Sequence, residues 1–166
     1  MSESQNRRIE VDLAAQRLRL FEGGCEIRAY AVSTARRGAG EQRNSECTPR
    51  GRHVIRARIG AGLPSGAVLV GRRPTGEVWS LDLARRHPDR DWILSRILWL
   101  SGTEPGRNRF GAVDSMQRYI YIHGTPESEP IGVPASHGCV RMTNADVIEL
   151  FDLVRVGDRV DIREQQ

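Results

Sequence analysis

Polar and apolar residues alternate through the first third of the chain. Ile9-Glu10-Val11-Asp12-Leu13 alternates, then Leu18-Arg19-Leu20 running into Phe21, then Cys25-Glu26-Ile27-Arg28-Ala29-Tyr30-Ala31-Val32. A period of two sends successive side chains to opposite faces, which is the pattern of half-buried strands. Gly23-Gly24 separates the second run from the third and supplies a tight turn, so a hairpin or meander is predicted. Arg36-Arg37-Gly38-Ala39-Gly40-Glu41 is a flexible loop. Thr48-Pro49-Arg50-Gly51 is a turn in which proline fixes one backbone angle. His53–Ile59 follows as another strand, with His53 on its face.

Gly60, Gly62, Pro64 and Gly66 break up the next stretch, and no regular element is predicted between 60 and 92. Arg85–Arg90 is a charged loop with His87 solvated. From Trp92 to Leu100 only Ser95 and Arg96 are not apolar. Periodicity leaves strand and helix open there, and the Ser101-Gly102 boundary favours strand. A polar loop over 101–114 leads to a strand from Arg118 that ends at His123-Gly124. One helix is expected, over 144–154. Thr143 and Asp146 resemble a capping box, and Val147, Leu150, Phe151 and Val154 mark one face. Gly157-Asp158 then turns the chain into a last strand, Val160-Asp161-Ile162. The expectation is a mainly β, single domain over 9–166, preceded by a disordered tail over 1–8.

A chain of 166 residues can bury its own core. With 39% hydrophobic and 28% charged residues it is neither collagen-like nor disordered in composition. No apolar run approaches the ~20 residues of a membrane helix, so no membrane insertion is expected. The polar opening has no apolar segment behind it and carries no visible secretory signal. The expected compartment is the cytoplasm, or the periplasm if a leader has been removed. All 25 basic residues are arginine, scattered among 21 acids, and aromatics are only 5%. Stacking platforms for bases are therefore scarce, and no nucleic-acid partner is expected. The net charge of +4 fits a small anionic substrate. Three cysteines (Cys25, Cys47, Cys139) at unpaired spacings are no disulfide framework and suit a reducing compartment.

Two segments carry the candidate chemistry: Ile122-His123-Gly124-Thr125 and Ser136-His137-Gly138-Cys139-Val140-Arg141-Met142. A cysteine nucleophile acts as its thiolate and needs a base or positive surroundings. His123 and His137 are both candidates for that base. His137 lies two residues from Cys139, a spacing that rarely gives a good N···S line, whereas His123 comes from a separate strand. Gly138 leaves the thiol open to approach and bares nearby N–H groups for an oxyanion hole. Arg141 has the planar fork to hold a carboxylate. Cys25 and Cys47 are read as packing residues. His123, His137 and Cys139 are all zinc ligand types, but H-x13-H-x-C matches no common structural zinc pattern, and no metal is expected.

Taken together, His123-Gly124-Thr125, Ile131-Gly132, Ser136–Met142, Asn144 and Asp146 resemble the signature of the L,D-transpeptidase catalytic domain (YkuD type). Thr48-Pro49-Arg50-Gly51 is similar to that family's T-P-x-G turn. Val32-Ser33-Thr34 and the closing Val154-x-x-Gly157-x-x-Val160-x-Ile162 agree as well, so the likeness runs from Ile9 to Ile162. The resemblance implies an L,D-transpeptidase-like β-sandwich or barrel and cysteine acyl transfer on peptidoglycan stem peptides, without a cofactor. It implies that Cys139 attacks diaminopimelate in a tetrapeptide stem, that His123 activates Cys139, and that Gly124 orients His123. His137, Gly138 and Ser136 would then serve substrate and oxyanion, and Arg141 a substrate carboxylate. The partner would be a peptidoglycan tetrapeptide or soluble muropeptide. Water as acceptor makes the enzyme an L,D-carboxypeptidase of murein recycling; an amine acceptor makes it a 3→3 cross-linking transpeptidase. A non-catalytic muropeptide-binding domain is the third possibility. The expectation leans to the carboxypeptidase, because a cytoplasmic member would meet soluble stem peptides with water as the abundant acceptor, and a low-pKa thiol survives best in a reducing compartment. The long 60–114 region would form a lid or wall over the cleft.

Overall fold

The computed structural model describes residues 6–165. Three strands open the chain: β1 (Arg7–Asp12), β2 (Arg17–Glu22) and β3 (Cys25–Ala31). They pair in antiparallel order as the alternation predicts. Arg7 and Arg8 belong to β1 and not to the expected disordered tail; residues 1–5 of that expectation lie outside the described residues. β4 (Gly51–Ile59) follows, then β5 (Ala67–Val70), β6 (Arg73–Val78), helix α1 (Leu81–Arg86) and β7 (Ile93–Gly102). β8 (Tyr121–Thr125), β9 (Val140–Thr143), helix α2 (Asn144–Leu153) and β10 (Arg159–Arg163) complete the order.

One ten-stranded sheet runs β3-β2-β1-β10-β4-β7-β5-β6, with β8 on β7 and β9 on β8. Two pairings are parallel, β1 with β10 and β8 with β9. The first ties the chain ends together and places Ile9 opposite Val160 and Val11 opposite Ile162 in the main core. α2 covers that core with Val147, Leu150 and Phe151. Burying Leu150 and Phe151 contributes roughly 1.5–3 kcal/mol each. Thr143 caps α2, its Oγ1 accepting from Asp146 N at 3.1 Å.

Five elements depart from the expectation. β5 and β6 form a hairpin whose turn residues Gly71 and Arg72 both have positive φ, as in a type I′ turn. β6 contains Pro74 and Gly76, poor strand residues that only an edge strand tolerates, and β6 is such an edge. α1 is a second helix; it is too short to show a period and buries only Leu83, against Val68, Trp92 and Leu94. β8 begins at Tyr121 instead of Arg118, because 114–119 form turns in which Arg118 N donates to Asp114 O. β9 occupies the stretch after Cys139 that reads as loop. His53 is fully buried, 2.8 Å from Ser115 Oγ, where burial pushes its pKa down to about 4.

Candidate active site

The parallel pairing of β8 with β9 builds the site. His123 lies opposite Arg141 and Ile122 opposite Val140, in neighbouring strands roughly 4.8 Å apart. Alternation sends Ile122, Val140 and Met142 into the main core. It leaves Tyr121, His123, Cys139 and Arg141 on the other face, where they line a cavity of about 560 Å³. Ser136 and His137 belong to the same lining, as do Arg72, Asp91, Arg118 and Tyr119. The two segments that stand out in the sequence thus meet across one strand pair.

His123 is 1% exposed. Its Nδ1 lies 2.7 Å from Gly124 O and must donate, since a carbonyl only accepts. Nε2 is then the basic nitrogen. Burial pushes the imidazole pKa below its ordinary value, and the Gly124 bond opposes this only in part. The resting imidazole is neutral at pH 7 and able to take a proton. Gly124 itself is packed on two sides. A Cβ there would stand 2.5 Å from both Leu94 O and Asn144 Oδ1. Leu94 comes this close because β7 bulges at Ser95, which has positive φ and donates to Asn144 Oδ1 at 2.7 Å. Gly124→Ala is therefore expected to push β8 from β7, costing about 1–3 kcal/mol in denaturant unfolding and lowering thiol reactivity with it. A variant as stable and as reactive as the parent would show the backbone to be more pliable than this packing allows.

Cys139 is half-buried. Its thiol donates toward Tyr119 O at 3.4 Å, and Tyr121 N donates to the sulfur at 3.3 Å. Burial pushes the thiol up to about 11, against the lowering effects of the Tyr121 N–H, Arg141 and Arg118. This corrects the expectation of a low-pKa thiol. Both shifts run toward the uncharged forms, so proton transfer from the thiol is expected to accompany attack.

The nucleophile loop is pinned from two sides. Ser136 Oγ donates to Cys139 O at 2.6 Å and accepts from Gly138 N at 3.2 Å. Thr48 Oγ1 donates to Gly138 O at 2.9 Å and accepts from Ala35 N at 3.0 Å. The Gly138 N–H, expected to be bare, is thus engaged by Ser136. Gly138 has φ +133 and a Cβ there would sit 3.2 Å from Cys47 O, so the position requires glycine. His137 is exposed at the rim. Cys25 is exposed and Cys47 half-buried, so neither is a core packing residue.

Arg141 does not present the free fork expected of it. It is buried, with Nη2 3.0 Å from Asp91 Oδ1 and Nη1 3.7 Å from Glu129 Oε2. Sequence reasoning missed Asp91 and Thr48. Asp91 is 50 positions from its partner and carries no local signal, whereas the T-P-x-G turn marked Thr48 without indicating its contact.

The family model described as the L,D-transpeptidase catalytic domain (YkuD) matches residues 6–162. A putative L,D-transpeptidase YkuD of Bacillus licheniformis is 30% identical over 155 residues, covering 93% of this chain and 64% of that one. A putative L,D-transpeptidase YqjB of Bacillus subtilis is 42% identical over 55 residues, 33% of this chain and 31% of its own. The chain thus spans less than two thirds of either relative. L,D-transpeptidase 3 from Mycobacterium tuberculosis shares the fold with a TM-score of 0.59 at 15% identity, over 96% of this chain and 62% of that one. An L,D-transpeptidase from Mycobacterium smegmatis does so with a TM-score of 0.55 at 16% identity, over 96% and 59%.

Proposed function

Because the chain belongs to the L,D-transpeptidase catalytic domain family (YkuD type), we propose that it is a cysteine acyl-transfer enzyme acting on the diaminopimelate–D-alanine bond of peptidoglycan tetrapeptide stems. The observation that carries this reading is the placement of Cys139 and a neutral His123 in one cleft. Cys139 Sγ attacks the carbonyl carbon of the L-configured centre while its proton passes to His123 Nε2. The tetrahedral intermediate collapses, the C–N bond breaks, and the departing D-alanine amine takes the proton back from His123. A thioester remains on Cys139, and the acceptor resolves it with His123 again as base. Dividing one hard step into two easier ones is the gain of covalent catalysis.

Water is the proposed acceptor, which makes the reaction an L,D-carboxypeptidase step yielding tripeptide and D-alanine from soluble muropeptides in murein recycling. The segment between β4 and β8 supports this. It lends Gly71, Arg72, Asp91 and Ile93 to the cleft, a wall that favours a free stem over a bulky polymer. Water at ~55 M loses to an amine only where a second site positions that amine. The proposal extends to a cytoplasmic location, which three free cysteines support.

One observation favours the transpeptidase instead. A second cavity of about 420 Å³ shares Asp91, His137 and Arg141 with the first and adds Asp89 and Glu129, carboxylates suited to an acceptor ammonium. The deciding experiment incubates the protein with soluble and polymeric tetrapeptide substrates plus a stem amine and weighs the products. Tripeptide and free D-alanine from soluble stems, with polymer trimmed more slowly, are expected. Dominant 3→3 dimers would make it a transpeptidase, and binding without turnover a non-catalytic muropeptide module.

A further inference from the structure

Three arginines line the cavity that holds Cys139: Arg72, Arg118 and Arg141. Two are already engaged. Arg141 is paired with Asp91 and Glu129. Arg118 donates to Gly40 O, Glu41 O, Ser45 Oγ and Cys47 O, stapling the 40–47 loop to the turn before β8. Arg72 differs from both. Its guanidinium lies over the Trp99 ring at 4.5 Å and the Tyr119 ring at 5.1 Å, and Nη1 donates to Tyr121 Oη at 2.9 Å. Among the described residues no carboxylate forms an ion pair with it. Stacking occupies the face of the guanidinium and leaves most of its in-plane N–H donors unused. Arg72 also stands at the β5–β6 turn, where positive φ at Gly71 and Arg72 defines a tight I′ geometry that limits how the backbone can move.

We propose that Arg72 is the specificity-determining residue that reads a free carboxylate of the peptide held beside Cys139. The inference rests on the acyl-transfer reading above and names the group of the donor recognised there. A tetrapeptide stem offers two such carboxylates, the side-chain carboxylate of its diamino acid and its C-terminal carboxylate. The chemistry of recognition is the same for either: a planar, charge-assisted pair of N–H donors meeting two oxygens. Aromatic stacking holds the fork before substrate arrives, so less side-chain freedom is lost on binding.

Two measurements test this. The first needs no peptidoglycan substrate. Alkylation of Cys139 by anionic iodoacetate is compared with alkylation by neutral iodoacetamide, read at Cys139 by mass. Arg72→Gln is expected to lower the iodoacetate-to-iodoacetamide rate ratio about fivefold, the effect of removing one nearby positive charge. The second uses tetrapeptides free at both carboxylates, amidated on the side chain, or amidated at the C-terminus. Arg72→Gln should lower kcat/KM for the free substrate about ten- to hundredfold, mostly through KM. It should change kcat/KM less than threefold for the substrate amidated at the carboxylate Arg72 reads, which identifies that carboxylate. Arg72→Lys, which keeps the charge and loses the fork, should restore the alkylation ratio but only part of kcat/KM. An unchanged alkylation ratio overturns the proposal. So does an equal loss on all three substrates, which would make Arg72 a packing residue on Trp99. If the parent protein turns over no tetrapeptide, the acyl-transfer reading fails, and the alkylation ratio still decides whether Arg72 draws a carboxylate to Cys139.

Discussion

Cys139→Ala is expected to reduce hydrolysis of a tetrapeptide stem to background, a loss on the order of 10⁴–10⁶-fold, as for removal of a covalent nucleophile. Cys139→Ser should fare little better, because a hydroxyl has a far higher pKa than a thiol and His123 cannot activate it well enough. Cys25→Ala and Cys47→Ala serve as controls. Cys25 sits exposed at the start of β3, and the Cys47 thiol hydrogen-bonds to the carbonyls of Arg37 and Ser45, outside the cleft that holds Cys139, so both variants should keep most of the activity. Steady-state release of D-alanine is the measurement. Near-normal release by Cys139→Ala would sink the thiol mechanism outright.

The second large effect is at the base. His123→Ala should cost roughly 10²–10⁴-fold in rate, the usual range for a general base. The pH dependence adds a sign that loss of activity alone cannot supply. Burial lowers the His123 pKa, so the free base is the dominant form throughout the neutral range. As pH falls through that lowered value the imidazole takes up a proton and kcat/KM should drop. In His123→Ala this acid limb should disappear. The thiol behaves oppositely. Pushed up to about 11, it should be alkylated faster with each pH unit well past neutrality instead of levelling off near 8. An early plateau would mean that Cys139 rests as a thiolate. Persistence of the acid limb in His123→Ala would assign it to another group.

Arg141 illustrates how a residue's chemistry depends on its neighbours. From its type and its place two residues after the thiol, it reads as a substrate clamp. In the fold its charge is balanced by Asp91, from the loop before β7, and Glu129. The pair therefore ties the segment after α1 to the nucleophile strand. A guanidinium used in this way has little left for a ligand, and the open cation of the cleft comes instead from Arg72 on a hairpin the residue pattern does not reveal.

Alternation and punctuation were enough to read β1 to β4, β10 and α2, where apolar positions recur with a clear period, and for the mostly buried β7 the Ser101-Gly102 boundary decided in favour of strand. The His-Gly-Thr and Ser-His-Gly-Cys segments were legible for a different reason: few residue types supply a nucleophile and a base. The β5–β6 hairpin and α1 were not legible. β5 has four residues and α1 six, too few to show a period, and β6 carries Pro74 and Gly76; distant partners hold them, Val68 against Leu94 and Leu83 against Trp92. Nor was β9, whose four residues gain strand character only by lying between β8 and the Ser33 segment. Those long-range pairings decided what local pattern could not. They turn Cys139 and His123 to one face, desolvate both and thereby set the direction of their pKa values, neutralise Arg141 with Asp91, and leave Arg72 without an acid. Sequence specifies which groups are available and how each short run folds. Charge state and contact depend on burial and on partners many residues away, and the folded sheet alone supplies those.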